Sequence, residues 1–165
     1  MLTLVEISEN LLQAEMEILN SDPYFNRVSF DSEVMSPEDL ARDKENGARL
    51  GAERFLVREG EGFVGILEFI MLNPSDNCPW LGLLQVDKRL QGQGYGSRIL
   101  GLYMEEMRRR NVAVFRIGVL EGNDSALGFW RQQGFEDVIT ARTVVNDREK
   151  TVFVMEKKIN EQGQY

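Results

Sequence analysis

Apolar residues recur along the chain in two rhythms, period two and period three to four, and the switches between them set out the elements. Residues 3–7 alternate weakly and predict a short strand. Residues 10–20 follow, with Leu11, Leu12, Met16, Ile18 and Leu19 at helical spacing. Asp22-Pro23 closes that helix, because proline disfavours helical geometry in the residue before it, and leaves Tyr24 and Phe25 in a connection. Ser36-Pro37-Glu38-Asp39 predicts a helix start: serine caps, proline suits the first helical position and two acids favour the dipole. This helix is polar, peripheral in expectation, and runs to about Asn46, with Gly47 as its stop signal. Residues 54–58 and 63–72, joined by Gly60-Glu61-Gly62, read as a hairpin.

A proline-bearing loop over residues 73–79 leads into Trp80–Val86, a near-continuous apolar run that suits a central strand covered on both faces. Residues 96–110 form a helix with Ile99, Leu100, Leu102, Tyr103 and Met107 on one side and Arg108-Arg109-Arg110 in its last turn, where cations favour the dipole. Residues 112–120 are the next strand. Asn123 caps a helix carrying Ala126, Leu127, Phe129 and Trp130, and Gly134 stops it. Residues 135–145, a turn at Asn146-Asp147, and residues 151–158 close the chain as a hairpin, followed by a polar tail, 160–165. The strand–helix–strand crossovers all lie around residues 80–120, so the expected architecture is a single α/β domain over residues 1–159, with a mixed sheet of about seven strands, a parallel centre and about four helices.

The stretch Gln91-Gly92-Gln93-Gly94-Tyr95-Gly96-Ser97 joins the central strand to its helix. Glycine at alternate positions is costly inside an element and favoured where the backbone turns with positive φ or approaches a ligand closely. At a helix start such a loop gathers backbone N–H groups at the positive end of the dipole and makes an anion cradle. It lacks the lysine of a P-loop, and its even glycine spacing does not meet the Gly-x-Gly-x-x-Gly fingerprint of dinucleotide folds.

Composition narrows the chemistry further. The 165 residues include no histidine and one cysteine, Cys78, which excludes Ser-His-Asp and Cys-His catalysis and argues against a cysteine or zinc centre. A net charge of −8 argues against nucleic acid and suits either a solvated surface or an amine-bearing partner. No apolar run approaches the roughly 20 residues that span a bilayer, and residues 1–6 do not read as a signal peptide, so no membrane association and a cytoplasmic location are expected. Exposed edges at the terminal hairpin make a homodimer an expectation as well.

Gln91-x-x-Gly94-x-Gly96 resembles the Gln/Arg-x-x-Gly-x-Gly/Ala signature of the GNAT N-acetyltransferases. Asn123-x-x-Ala126-x-x-Phe129-Trp130-x-x-x-Gly134-Phe135 resembles that family's second motif. The resemblance implies acetyl-CoA as co-substrate, its pyrophosphate held by the backbone of Gln91, Gly92, Gln93, Gly94, Tyr95 and Gly96 and by the Ser97 hydroxyl. It implies a pantetheine arm paired with backbone near Leu84 and Val86, in a gap where two parallel strands splay apart. Phe129 and Trp130 would flank that arm, and Asn123 would add a contact or serve simply as a helix cap.

The reaction implied is attack of a neutral primary amine, of a small molecule or a peptide, on the thioester carbonyl in a ternary complex. Trp130 stands where many members of the family carry a tyrosine, and indole cannot deliver a proton. Either water or a tyrosine from elsewhere, Tyr24 being the candidate, serves that task, although an aromatic pair such as Tyr24-Phe25 is usually a core plug. Glu68, an acid inside an apolar strand, is the candidate base, unless it lies on a solvated face. Asp31 and Glu33 are weaker candidates for anchoring the amine. The absent tyrosine also leaves open a binding or sensing module without turnover.

Overall fold

A computed structural model describes residues 1–159; the expected polar tail, 160–165, lies outside the described residues. One seven-stranded sheet in the order β1-β2-β3-β4-β5-β7-β6 organises the chain. The strands are β1 (Leu2–Glu6), β2 (Glu53–Glu59), β3 (Gly62–Ile70), β4 (Trp80–Val86), β5 (Val114–Leu120), β6 (Glu136–Val145) and β7 (Arg148–Lys158). Only β4 and β5 run parallel; every other neighbouring pair is antiparallel. The helices are α1 (Leu12–Leu19), α2 (Pro23–Phe30), α3 (Pro37–Arg49), α4 (Tyr95–Arg109) and α5 (Asp124–Gln132). The expected mixed sheet with a parallel centre is therefore present, with five α-helices among the described residues rather than about four.

The additional helix is α2. Asp22-Pro23 ends one helix and begins another: Asp22 caps α2, its Oδ1 accepting from the Phe25 amide at 3.1 Å, and Pro23 takes the first helical position. Tyr24 and Phe25 are thus helical, not in a connection. Proline is as good a start signal as a stop signal, because its missing N–H costs nothing in a first turn.

Gly47 is likewise not a stop. α3 runs to Arg49, and the turn comes at Gly51, whose φ is +74°. Gly47 lets α3 approach β3: a Cβ there would lie 3.4 Å from Glu68 Oε1. The start of α3 is as expected, with Ser36 and Asp39 forming a reciprocal capping box. The first helix begins late, since Asn10 lies in a 3-10 turn over Glu9–Leu11. β7 begins three residues early, at Arg148, because Asn146 and Asp147 both adopt positive φ and close the hairpin within two residues.

Two cores form, one on each face of the sheet. On one face α4 and α5 bury Ile99, Leu100, Tyr103, Met107, Leu127 and Trp130 against Leu67, Phe69, Phe115 and Met155. On the other, Ile18, Leu19, Met35 and Leu40 cover Leu56 and Ile66. A run of edge-to-face rings joins Phe69, Tyr103, Phe115, Phe135 and Trp130 at centroid spacings of 5.4, 4.8, 5.4 and 5.0 Å, the favoured geometry for aromatic pairs.

The tightest contact within the sheet is at Gly65, where a Cβ would sit 2.5 Å from the Gln85 carbonyl oxygen. Gly65→Ala is therefore expected to lower unfolding free energy by about 1–3 kcal/mol, the usual cost of overpacking a close contact. Denaturant titration checks it, and an unchanged midpoint would show that the β3–β4 contact yields freely.

Candidate active site

β4 and β5 share one register pair, Trp80 with Arg116, supported by the Arg116 amide donating to the Pro79 carbonyl at 3.0 Å. Beyond it the strands part. β5 is held along its whole length by β7, from Val114–Lys158 to Leu120–Val152. β4 follows β3 instead, and its register shifts between the pairs Leu83–Glu68 and Leu81–Phe69, leaving Gly82 as an extra residue. Such a bulge bends a strand and increases its twist. The facing edges of β4 and β5 past this point have no ladder partner among the described residues.

The closed end of the gap is fastened by side chains. Trp80 Nε1 donates to Asp76 at 2.8 Å, and Arg116 bridges Asp76 at 3.2 Å and Glu156 at 3.0 Å. Trp80 also lies over Gly118 of β5, where a Cβ would come within 3.3 Å of the ring. The open end widens into a cleft of about 710 Å³ that reaches both faces of the sheet.

The glycine loop walls the cleft on the α4 side. Gly92 and Gly94 have φ of +80° and +84°, and Gly94 is the N-cap of α4 with no side chain capping its first amides. These two glycines are in the left-handed region as expected. Gly96 serves packing instead: it lies inside the first turn of α4, and a Cβ would meet the Phe129 ring at 3.0 Å. The Gln91 side chain turns inward, its Nε2 donating to Asp22 at 3.1 Å and to the Val86 carbonyl at 3.2 Å, so it braces the loop. Ser97 Oγ accepts from Gln133 at 2.8 Å. Asn123 caps α5, its Oδ1 accepting from the Ala126 amide at 3.2 Å. Leu84, Val86, Tyr95, Phe129 and Trp130 line the cleft as well; Gln93 does not. Lys88, just before the loop, adds a cation to the wall that the motif did not point to.

At the other end of the cleft stand charged groups from four elements. Glu15 of α1 is fully buried and bound by Lys44 of α3 at 2.5 Å and by Arg54 Nε of β2 at 2.8 Å. Arg54 Nη1 donates to Glu68 of β3 at 2.9 Å and lies 3.7 Å from Asp43 of α3. Burial works against the Arg54 charge, yet Glu68, Glu15 and Asp43 together hold its pKa above the ordinary arginine value. Asp43, Arg54 and Glu68 all line the cleft, and Glu68 Oε1 would be 3.9 Å from a Cβ on the bulge glycine, Gly82.

Tyr24 reaches the same cleft from α2, its hydroxyl donating to the Gly122 carbonyl at 2.6 Å. Asp31 is paired with Lys150 at 2.8 Å and Glu33 with Arg27 at 3.3 Å, and neither lines this cleft. Two other tyrosines are engaged elsewhere. Tyr103 is wholly buried between Phe69 and Phe115, and burial pushes its pKa up. Tyr95 donates to Glu59, which raises its pKa.

A sheet opened between its two parallel strands, with a glycine turn on a helix start at one end and carboxylates at the other, is the architecture of an acyltransferase. The profile of the acetyltransferase (GNAT) family matches residues 13–135. The chain belongs to the GNAT acetyltransferase family, and it is an acetyltransferase. Among solved structures, an acetyltransferase from Thermus thermophilus is 21% identical, with 95% of this chain and 96% of that one covered at a TM-score of 0.78. A ribosomal-protein-alanine N-acetyltransferase from Brucella melitensis is 25% identical over 94% and 99%, with a TM-score of 0.69. A spermidine N-acetyltransferase from Vibrio cholerae, solved with CoA and spermine, is 18% identical over 96% and 95%, with a TM-score of 0.72. No helix among the described residues is long and apolar enough to cross a membrane.

The cleft residues fit a coenzyme A thioester: uncapped amides and positive-φ glycines suit a phosphate, and two unpaired strand edges suit an amide-bearing arm. Removing the central cation should be costly. Arg54→Met would leave Glu15 buried with Lys44 alone and Glu68 unpaired, so a loss of about 3–5 kcal/mol is expected. Chemical denaturation measures it; a loss well under 1 kcal/mol would mean that the cluster is more hydrated than its burial indicates.

Proposed function

We propose that the protein is an acetyl-CoA-dependent N-acetyltransferase acting on a primary amine of a small molecule or peptide, by direct attack in a ternary complex. The observation that carries this reading is the gap between β4 and β5, with the glycine turn on one side and Glu68 at the β4 bulge on the other. The donor would lie with its pyrophosphate on the amides of residues 91–96 and its arm along the free edge of β4 near Leu84 and Val86. Bound there, it supplies the activated acetyl group. The Brucella and Vibrio relatives act on protein alanine and on spermidine; each offers a primary amine, and an acidic acceptor end suits such a group in its protonated form.

The chain's own residues then have three tasks. An amine near pKa 10 is protonated at neutral pH and must shed a proton before it attacks. Glu68 is the proposed anchor for that nitrogen and its first contact on the protein. A backbone N–H on the open edge of β4 would stabilise the oxyanion, since a fixed donor in a closed site needs no reorganisation. Tyr24 is the proposed source of the proton for the leaving thiolate; its hydroxyl, which donates to the Gly122 carbonyl at 2.6 Å, would exchange that partner for the sulfur. Trp130, packed on Phe129 and Phe135, contributes shape to the arm's channel.

Incubation with acetyl-CoA and a panel of spermidine, L-alaninamide and an alanine-ended hexapeptide should release free thiol with at least one amine. No release with any of them would sink the reading. Gly94→Val is expected to weaken CoA binding by about tenfold or more, since a branched side chain at φ +84° forces the loop to rearrange; calorimetry with CoA checks it. Tyr24→Phe should lower kcat by about tenfold or more while CoA affinity holds, and an unchanged kcat would assign the proton to water.

A further inference from the structure

Among the described residues, Asp43 is a carboxylate of the cleft that is ion-paired but not hydrogen-bonded. Arg54 Nη1 stands 3.7 Å away, an ion-pair distance beyond hydrogen bonding, and the Asp43 carboxylate accepts no hydrogen bond among the described residues. Its side chain is 39% exposed and lines the cleft. Glu68, by contrast, is clamped by Arg54 at 2.9 Å and only 17% exposed. The Arg54 guanidinium thus occupies part of the Glu68 carboxylate, while the Asp43 carboxylate faces the cleft without a hydrogen-bonded partner among the described residues.

We propose that Asp43 takes the proton from the acceptor ammonium, while Glu68, fixed by Arg54, positions the nitrogen; this rests on the N-acetyltransferase reading above. The charge inventory supports it. Glu15, Asp43 and Glu68 face two cations, Lys44 and Arg54, so the cluster carries one negative charge in excess. Lys44 and the Nε of Arg54 are committed to Glu15, which leaves the excess on the two groups that face the cleft. An arriving ammonium would balance that excess negative charge.

The step balances simply. The N–H bond of the ammonium breaks and an O–H bond forms on Asp43, leaving the amine lone pair free. That pair forms the C–N bond to the thioester carbon, the C–S bond breaks, the Tyr24 hydroxyl gives its proton to the thiolate, and the second amine proton replaces it on the Tyr24 oxygen. Asp43 afterwards releases its proton to solvent. Burial pushes the Asp43 carboxyl above the ordinary aspartate range; Arg54 opposes the shift and Glu15 adds to it. The direction is the one a base needs, since a carboxylate at its ordinary pKa is too weak to accept a proton readily near neutrality. A rate that depends on ionised Asp43 falls as pH drops through this raised pKa.

Asp43→Asn in the full chain tests the proposal. With spermidine or L-alaninamide at pH 7, kcat should fall about tenfold or more, within the ordinary reach of one base, with melting temperature and CoA affinity unchanged. The deficit should narrow with methoxyamine, a nucleophile already neutral at pH 7, and Asp43→Glu should restore part of the rate. Glu68→Gln should raise KM for the charged amine more than it lowers kcat. Asp43→Asn activity equal to the wild type, or an equal loss with methoxyamine, would overturn the role of Asp43 and leave the N-acetyltransferase reading standing. Wild-type protein that binds CoA yet acetylates no amine overturns both.

Discussion

Two parallel strands that begin side by side and then refuse to pair are the constraint on which this molecule depends. β4 and β5 meet once, at Trp80 and Arg116, and each then stays with its outer neighbour. Unpaired backbone inside a protein is costly unless something satisfies it. The gap persists because both strands are fixed on their far sides and because the Gly82 bulge turns β4 away. Trp80, Asp76, Arg116 and Glu156 fasten the closed end, so the two strands stay joined there. The open backbone edges are then binding capacity, and the cleft is a consequence of how the sheet is held.

The two faces of the sheet divide the labour. On the α4 and α5 face the aromatic run ends at Trp130, and Phe129 beside it touches the Gly96 position. The glycine loop is thus seated against the end of that aromatic run. On the opposite face the acceptor end is electrostatic. Arg54 collects carboxylates from α1, α3 and β3, which ties three separate elements to the rim of the gap. Removing water from such groups is expensive, and their mutual pairing is what offsets that cost.

The backbone of the glycine loop and the ends of α5 were legible in the residues. Gly92 and Gly94 occupy the left-handed backbone that alternating glycines imply, and Asn123 and Gly134 bound α5 as cap and stop. Those signals are local, written within one loop or one helix turn. Gly96 shows the limit of the same logic, because its requirement comes from Phe129, over thirty positions away. Pro23 and Gly47 show another: each carries a signal with two meanings, and only packing selected between them. Asp43 was invisible, since a polar residue on a polar helix looks like solvent-facing filler until α3 is laid against β2 and β3.

The amino-acid sequence by itself determined the succession of the strands, the parallel centre and the positive-φ turns of the glycine loop, because these follow from periodicity, capping and backbone freedom within short segments. Tertiary structure alone decided where the sheet opens, which side chains meet there and how their charges are shared. Contacts such as Arg54 with Glu15, 39 positions apart, depend on the relative placement of elements, and no local pattern encodes that placement.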